Sequence, residues 1–278
     1  AVNILRSRRN PLVIFPEGDV YHINDRILPF REGPSAIALS AARRADRPVV
    51  IVPCAIKYRY LDDPTPKLVE VMGRLEESIH WRPRTDLTLP QRIYHLAEGA
   101  LSLKEIEFYG HSSSGPLPER IRKLIDFILS WLEDRYTLDA GRATISERVK
   151  RLRQQAIRRL VESPEGSLER RQCEEDVTDL FLAVQLFSYP GDYVAEDPSI
   201  ERIAETIDKL EEDVLGVKTA TIRGSRKATV TLGEPMPVRS GRRERLSVTE
   251  LTRLLEARVQ GLLSGRLPSW HQADTDVG

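Results

Sequence analysis

The side chains best suited to binding an anion and moving a proton lie together near the start of the chain. Phe15-Pro16-Glu17-Gly18 is followed by His22, Arg26 and Arg31, and then by Glu32-Gly33. An arginine fork donates two parallel hydrogen bonds to a phosphate or carboxylate. Gly18 permits a tight turn or a close approach of backbone to a ligand. Gly33 and Ser35 open the segment Pro34–Ala42, whose small residues read as a helix. Its N-terminal end is a natural place for an anionic group.

The elements around this loop must hold it in place. Leu12-Val13-Ile14-Phe15 is a continuous apolar run, the pattern of a central parallel strand covered on both faces. It would deliver the loop to the carboxyl end of a sheet, where open α/β sheets bind ligands. Val49–Ile56 predicts a second strand, with Pro53 marking an edge or a break. Lys67–Gly73 alternates and predicts a third.

From about Leu89 to Gly216 the period becomes helical. Apolar stripes run through Ile121–Leu132, Val149–Leu160 and Ile200–Val214. Strand character returns over Ala228–Pro235. A last helix follows, with Ser247 and Glu250 in capping-box spacing. The expected fold class is α/β, a mixed sheet flanked by helices, with a mainly helical insertion. Residues 1–80 and 221–265 would form the core, 81–220 the insertion, and 266–278 a flexible tail.

Composition narrows the function. The chain has 278 residues, enough for a sizeable core, and is 40% hydrophobic and 30% charged, which marks it as globular. Its 42 basic residues balance 42 acidic ones, so bulk charge does not point to nucleic acid. Cys54 and Cys173 are too few for a disulfide framework and fit a reducing compartment. No apolar run is long enough to span a bilayer, and no signal-peptide pattern is present. The first residues already read as structure, which suggests that the chain begins in mid-domain. No metal-binding pattern emerges.

Three segments together resemble the glycerophospholipid (lysophosphatidic-acid-type) acyltransferases. The first is Phe15-Pro16-Glu17-Gly18 with Pro29-Phe30-Arg31-Glu32-Gly33 behind it. The second is Val50-Ile51-Val52-Pro53, and the third is Val230-Thr231-Leu232-Gly233-Glu234-Pro235 before a terminal helix. The resemblance covers about residues 10–75 and 225–265.

It implies transfer of a fatty acyl group from a thioester donor, acyl-CoA or acyl carrier protein, to a lysophospholipid or glycerol-phosphate hydroxyl. No cofactor is implied beyond that co-substrate. Glu17, Gly18, His22, Arg26 and Arg31 would hold the acceptor. Phe15, Pro16, Val52 and Pro53 would shape the pocket. The setting would be cytoplasmic, on the inner face of a membrane.

Two departures stand out. Asp19-Val20-Tyr21 replaces the Thr-Arg-Ser type of sequence usual after Glu-Gly, which leaves Arg26, Arg31 or His22 to supply positive charge. The family's catalytic His-x-x-x-x-Asp, expected upstream of the turn, is absent. His271 and Asp276 match its spacing but lie in the C-terminal tail, behind every other motif. A non-catalytic lipid-binding or regulatory domain is therefore the alternative. The six basic residues between Arg148 and Arg159 would suit either an anionic membrane surface or a solvated helix face.

Overall fold

A computed structural model describes the chain except residues 8–9, 19, 45–46, 140, 142, 239–245, 267–270 and 278. For Ser7 and residues 271–277 it describes the backbone alone. In chain order the elements are α1 (Val2–Ser7), α2 (Gly33–Arg44), β1 (Val50–Ile51), β2 (Cys54–Tyr60), α3 (Thr65–Ser78), α4 (Leu89–Tyr109), α5 (Leu117–Tyr136) and α6 (Ile145–Glu162). There follow α7 (Leu168–Phe187), α8 (Tyr193–Glu196), α9 (Ile200–Leu215), β3 (Arg226–Leu232), β4 (Met236–Pro237), α10 (Val248–Leu263) and β5 (His271–Val277). They divide into two compact units: Ala1–Pro83 with Ser199–Gly278, and Arg84–Pro198. The chain mixes helix and strand, is rich in helix, and its described strands form two small antiparallel sheets.

The second unit is helical because its sequence starts and stops helices well. Thr88 with Gln91 and Thr144 with Glu147 form capping boxes on α4 and α6, and Ser167 caps α7. Gly110, at φ 76°, ends α4 in the left-handed region. Leu124, Ile128, Leu129 and Leu132 of α5 pack with Leu152 and Ala156 of α6 and Leu180 and Ala183 of α7. Buried or half-buried ion pairs staple these helices. Arg120 makes bonds of 3.0 and 2.7 Å to Glu105, and Arg148 makes two of 2.8 Å to Glu133.

The first unit holds the sheets, and every observed strand pairing is antiparallel. β1 pairs with β4, and β2, β3 and β5 form a second sheet in that order with β3 central. The expected parallel strand at Leu12–Phe15 is not formed. Val13 and Phe15 are 76% and 75% exposed, and the segment joins no strand pairing among the described residues. A buried parallel strand needs a neighbour on each edge and cover on each face, and neither is in place here.

The expected strand Lys67–Gly73 is instead part of α3. Leu68, Val71, Met72 and Leu75 are fully or almost fully buried, at the i, i+3, i+4, i+7 spacing of a helix, against α9. Alternation over seven residues was too short a window to show that longer period. The predicted strand Val49–Ile56 does break at Val52-Pro53, leaving β1 and β2 on either side. Residues 271–277, expected in a flexible tail, pair along β3 from His271 opposite Leu232 to Val277 opposite Arg226. Helix α9, placed in the insertion by its sequence, clusters with the sheet unit.

The β1–β2 segment has two unlike faces. Pro53 and Ala55 are buried, Ala55 against Leu262 and Leu263 of α10. Val50, Val52, Cys54, Ile56 and Tyr58, on the opposite face by the two-residue period, are all exposed. Pro53 accepts from the Gly233 amide at 2.8 Å, and Leu61 donates to Ser225 at 3.0 Å. Odd-numbered residues therefore face β3, and even-numbered ones present their amides to the other edge. At Tyr58 that edge is closed by a side chain: Asn24 accepts from the Tyr58 N–H and donates to its C=O, both at 2.6 Å.

Candidate functional site

The Pro16-Glu17 turn is built by its own sequence. Gly18 sits at φ +75°, a conformation that L side chains rarely adopt. The Arg31 amide donates to the Pro16 carbonyl at 2.8 Å and brings the far end of the loop back to the turn. The Arg31 side chain then lies across Gly18: a β-carbon there would stand 2.8 Å from Arg31 Cδ and closer still to its guanidinium. Arg31 is exposed and makes no ion pair with a described residue. Its hydrogen-bonding fork remains available to an anion.

Glu17 lies on the inner side of the same turn. Its Oε1 accepts from the Leu28 amide at 3.1 Å. Burial pushes its pKa above the usual carboxylate value, and the Leu28 bond opposes that rise. A half-buried carboxyl and a guanidinium on one turn could bind an acceptor's hydroxyl and its anionic group.

Helix α10 carries the loop. Gln260 brackets it, donating to the Asp25 carbonyl at 2.9 Å and accepting from the Ile27 amide at 3.0 Å. Glu256 accepts from the Phe30 amide at 2.7 Å. Thr249 donates to the Glu32 carboxylate at 2.6 Å, and Thr252 donates to the Ser35 hydroxyl at 2.7 Å. Thr249, Thr252, Glu256 and Gln260 fall at i, i+3, i+7 and i+11, one stripe beside the apolar face of the helix. That polar stripe, at helical spacing beside the apolar positions of α10, is the signal in the sequence that marks these residues. Asn24, the plug of the β2 edge, gave no such signal.

The structure groups Glu17, Gly18 and Arg31, and commits His22 elsewhere. His22, at φ 51°, places Nε2 at 3.0 Å from Glu212 Oε2 on α9. Its neighbour Asp25 is held by Arg202 Nε at 3.0 and 3.1 Å. Arg26 is half-buried and engaged with other groups. Phe15 projects into solvent and Pro16 is half-buried. Val52 is exposed on the uncovered sheet face, whereas Pro53 is buried in the β1–β2 break. Asp19 lies outside the described residues.

His271 and Asp276 are five residues apart on the extended β5, about 17 Å of strand rise. That separation is too great for a hydrogen-bonded pair. A cleft of about 250 Å³ lies at the other end of the loop, lined by Asp25, Lys57, Arg202, Gln260, Leu263, Ser264 and Arg266. Among the described residues Lys57 reaches the Leu263 carbonyl, at 3.4 Å, near the α10 C-terminus. Comparison with protein-family models, curated proteins and solved structures found no match to the chain.

Proposed function

We propose that this chain holds the acceptor for acyl transfer from acyl-CoA or acyl carrier protein to a lysophospholipid or glycerol-phosphate hydroxyl. One observation carries the reading. In the turn that resembles the family's acceptor-binding motif, the Arg31 guanidinium, without an ion pair to any described residue, rests on Gly18, and the preceding residue is the half-buried Glu17. Arg31 would take the acceptor's phosphate and Glu17 would orient the hydroxyl.

The chemistry requires a base. In the family resemblance, a His oriented by an Asp takes the hydroxyl proton as the oxygen attacks the thioester carbonyl, and returns it to the departing thiolate as the C–S bond breaks and the ester forms. That pair would come from polypeptide outside these 278 residues. The exposed face of Val50, Val52, Ile56 and Tyr58, together with the unpaired Leu12–Phe15 segment, is the kind of surface against which a further layer packs. Among the described residues no helix is long and apolar enough to cross a membrane. Access to a lipid acceptor would then be peripheral.

A second reading, a non-catalytic lipid-binding domain, is favoured by the capture of His22 by Glu212. The test is transfer of radiolabel from acyl-CoA to a panel of lysophospholipids. It compares this chain with the same chain carrying whatever its gene encodes upstream of Ala1. Activity confined to the extended form, and reduced by Arg31→Ala with a raised acceptor KM, is the expected result. Acceptor binding without transfer by either form would select the second reading. Neither binding nor transfer would overturn both.

A further inference from the structure

Helix α6 has an outer face with no role in the fold. Val149, Leu152 and Ala156 bury its inner face. Of its six basic residues, two are used internally: Arg148 is paired with Glu133 and Asp126, and Arg159 stacks on the Tyr136 ring at 4.8 Å. The other four, Lys150, Arg151, Arg153 and Arg158, are exposed, and none makes an ion pair with a described residue.

Lys150 and Arg153 share a stripe with Ile157 and Val161, at spacings of three and four residues, and Arg151 and Arg158 flank it. Ile157 is 42% exposed and Val161 77%. The helix's own acids sit at its two ends. Glu147 is held in the capping box of Thr144, and Glu162 is the last residue.

We propose that this face of α6 docks the protein on an anionic lipid bilayer. The four cations would meet headgroup phosphates, and Ile157 and Val161 would enter between them. Charge complementarity carries the choice of partner. A cation-rich face on a chain with no net charge selects an anionic partner. Two exposed aliphatic tips within that face suit a surface with an apolar interior. Single-stranded nucleic acid would call for aromatic stacking platforms, and this face has none.

The docking does not rest on acyl transfer, and its test reads partitioning alone. The full chain is sedimented with vesicles of phosphatidylcholine, with and without about a third phosphatidylglycerol. Each interfacial cation contributes roughly fivefold in partitioning. Lys150→Gln with Arg153→Gln should therefore lower binding to the anionic vesicles about 25-fold. Added salt should weaken it further. Val161→Asp should weaken vesicle binding, and circular dichroism would establish that each variant is folded.

Three outcomes would overturn the proposal. They are equal binding to neutral vesicles, unchanged binding in the Lys150→Gln/Arg153→Gln variant, and binding of a mixed-sequence single-stranded RNA in place of vesicles.

Discussion

The guanidinium of Arg31 occupies the side of Gly18 where a β-carbon would stand, and the Arg31 amide holds the Pro16 carbonyl at 2.8 Å. Turn geometry and the placement of the Arg31 cation thus depend on a single missing side chain. Gly18→Ala should cost about 1–3 kcal/mol from the left-handed conformation, with a further loss from displacing Arg31. Urea unfolding of Gly18→Ala, Arg31→Ala and the double variant separates the two. In the Arg31→Ala background, the Gly18→Ala penalty should fall to its backbone part. An unchanged penalty would mean that the two residues do not interact.

Asn24 substitutes for a neighbouring strand. It is buried, and both halves of its amide bond the Tyr58 backbone at 2.6 Å. Asn24→Ala leaves the part-buried Tyr58 N–H and C=O without their partner, and should cost about 1–3 kcal/mol in all. Asn24→Asp should fail to rescue, because a carboxylate cannot donate to the Tyr58 carbonyl. A midpoint shift of a few tenths of a kilocalorie in either variant would show that water replaces the amide.

Arg223 anchors the acidic side of α9. Its Nη2 lies 2.9 Å from both Asp208 and Glu211, and the side chain is almost wholly buried. The two carboxylates respond differently. Burial pushes Asp208 up and Arg223 only partly offsets it. Burial also pushes Glu211 up, but bonds from Thr221 and Arg223 outweigh it and carry the value down to about 2. Among the described residues Glu211 accepts the Thr221 amide and hydroxyl, while Asp208 Oδ1 accepts no hydrogen bond. Arg74 also holds Glu211 at 2.8 Å, so Arg223→Ala chiefly deprives buried Asp208, which keeps only Arg226 at 3.7 Å among the described residues; the cost should be about 3 kcal/mol. A depressed folded pKa contributes stability that is present above the unfolded value, 4.5, and is lost as pH falls toward 2. Acid titration of unfolding should therefore show a shallower decline in the variant. An identical decline would remove Glu211 from the acid response.

Asp179 on α7 works in the opposite direction. Burial raises it from 3.8 to about 6, with repulsion from Asp176 and Glu107 added and Lys104 opposing. A raised acid is stabilising to leave protonated: its cost is absent below 3.8 and complete above about 6. Asp179→Asn should therefore stabilise the protein near neutral pH by about 1 kcal/mol, once solvent screening of a half-exposed group is allowed for. The gain should vanish as pH falls toward 4. A gain independent of pH would assign it to packing instead.

Local sequence determined most of the long helices, though not α3, and the turn and the break. Capping residues Thr144 and Ser247 sit where their helices begin. The apolar stripes of α5, α6 and α9 read directly as buried faces, and Pro53 marks the interruption between β1 and β2. These features depend on neighbours within a few residues, so a linear reading contains them. Glu17, Gly18 and Arg31 were legible for the same reason, as one turn and the end of its loop.

Tertiary structure decided what depends on partners far along the chain. Leu12–Phe15 has strand composition, but a strand exists only when an edge pairs with it, and among the described residues none does. His22 was available for chemistry by type until Glu212, on the distant α9, claimed it. Asn24, Glu256 and Gln260 acquire their roles only when β2 and α10 arrive beside the loop. Residue type sets what a side chain can bond to. The fold, by bringing distant segments to within 3 Å, selects which of those bonds is made.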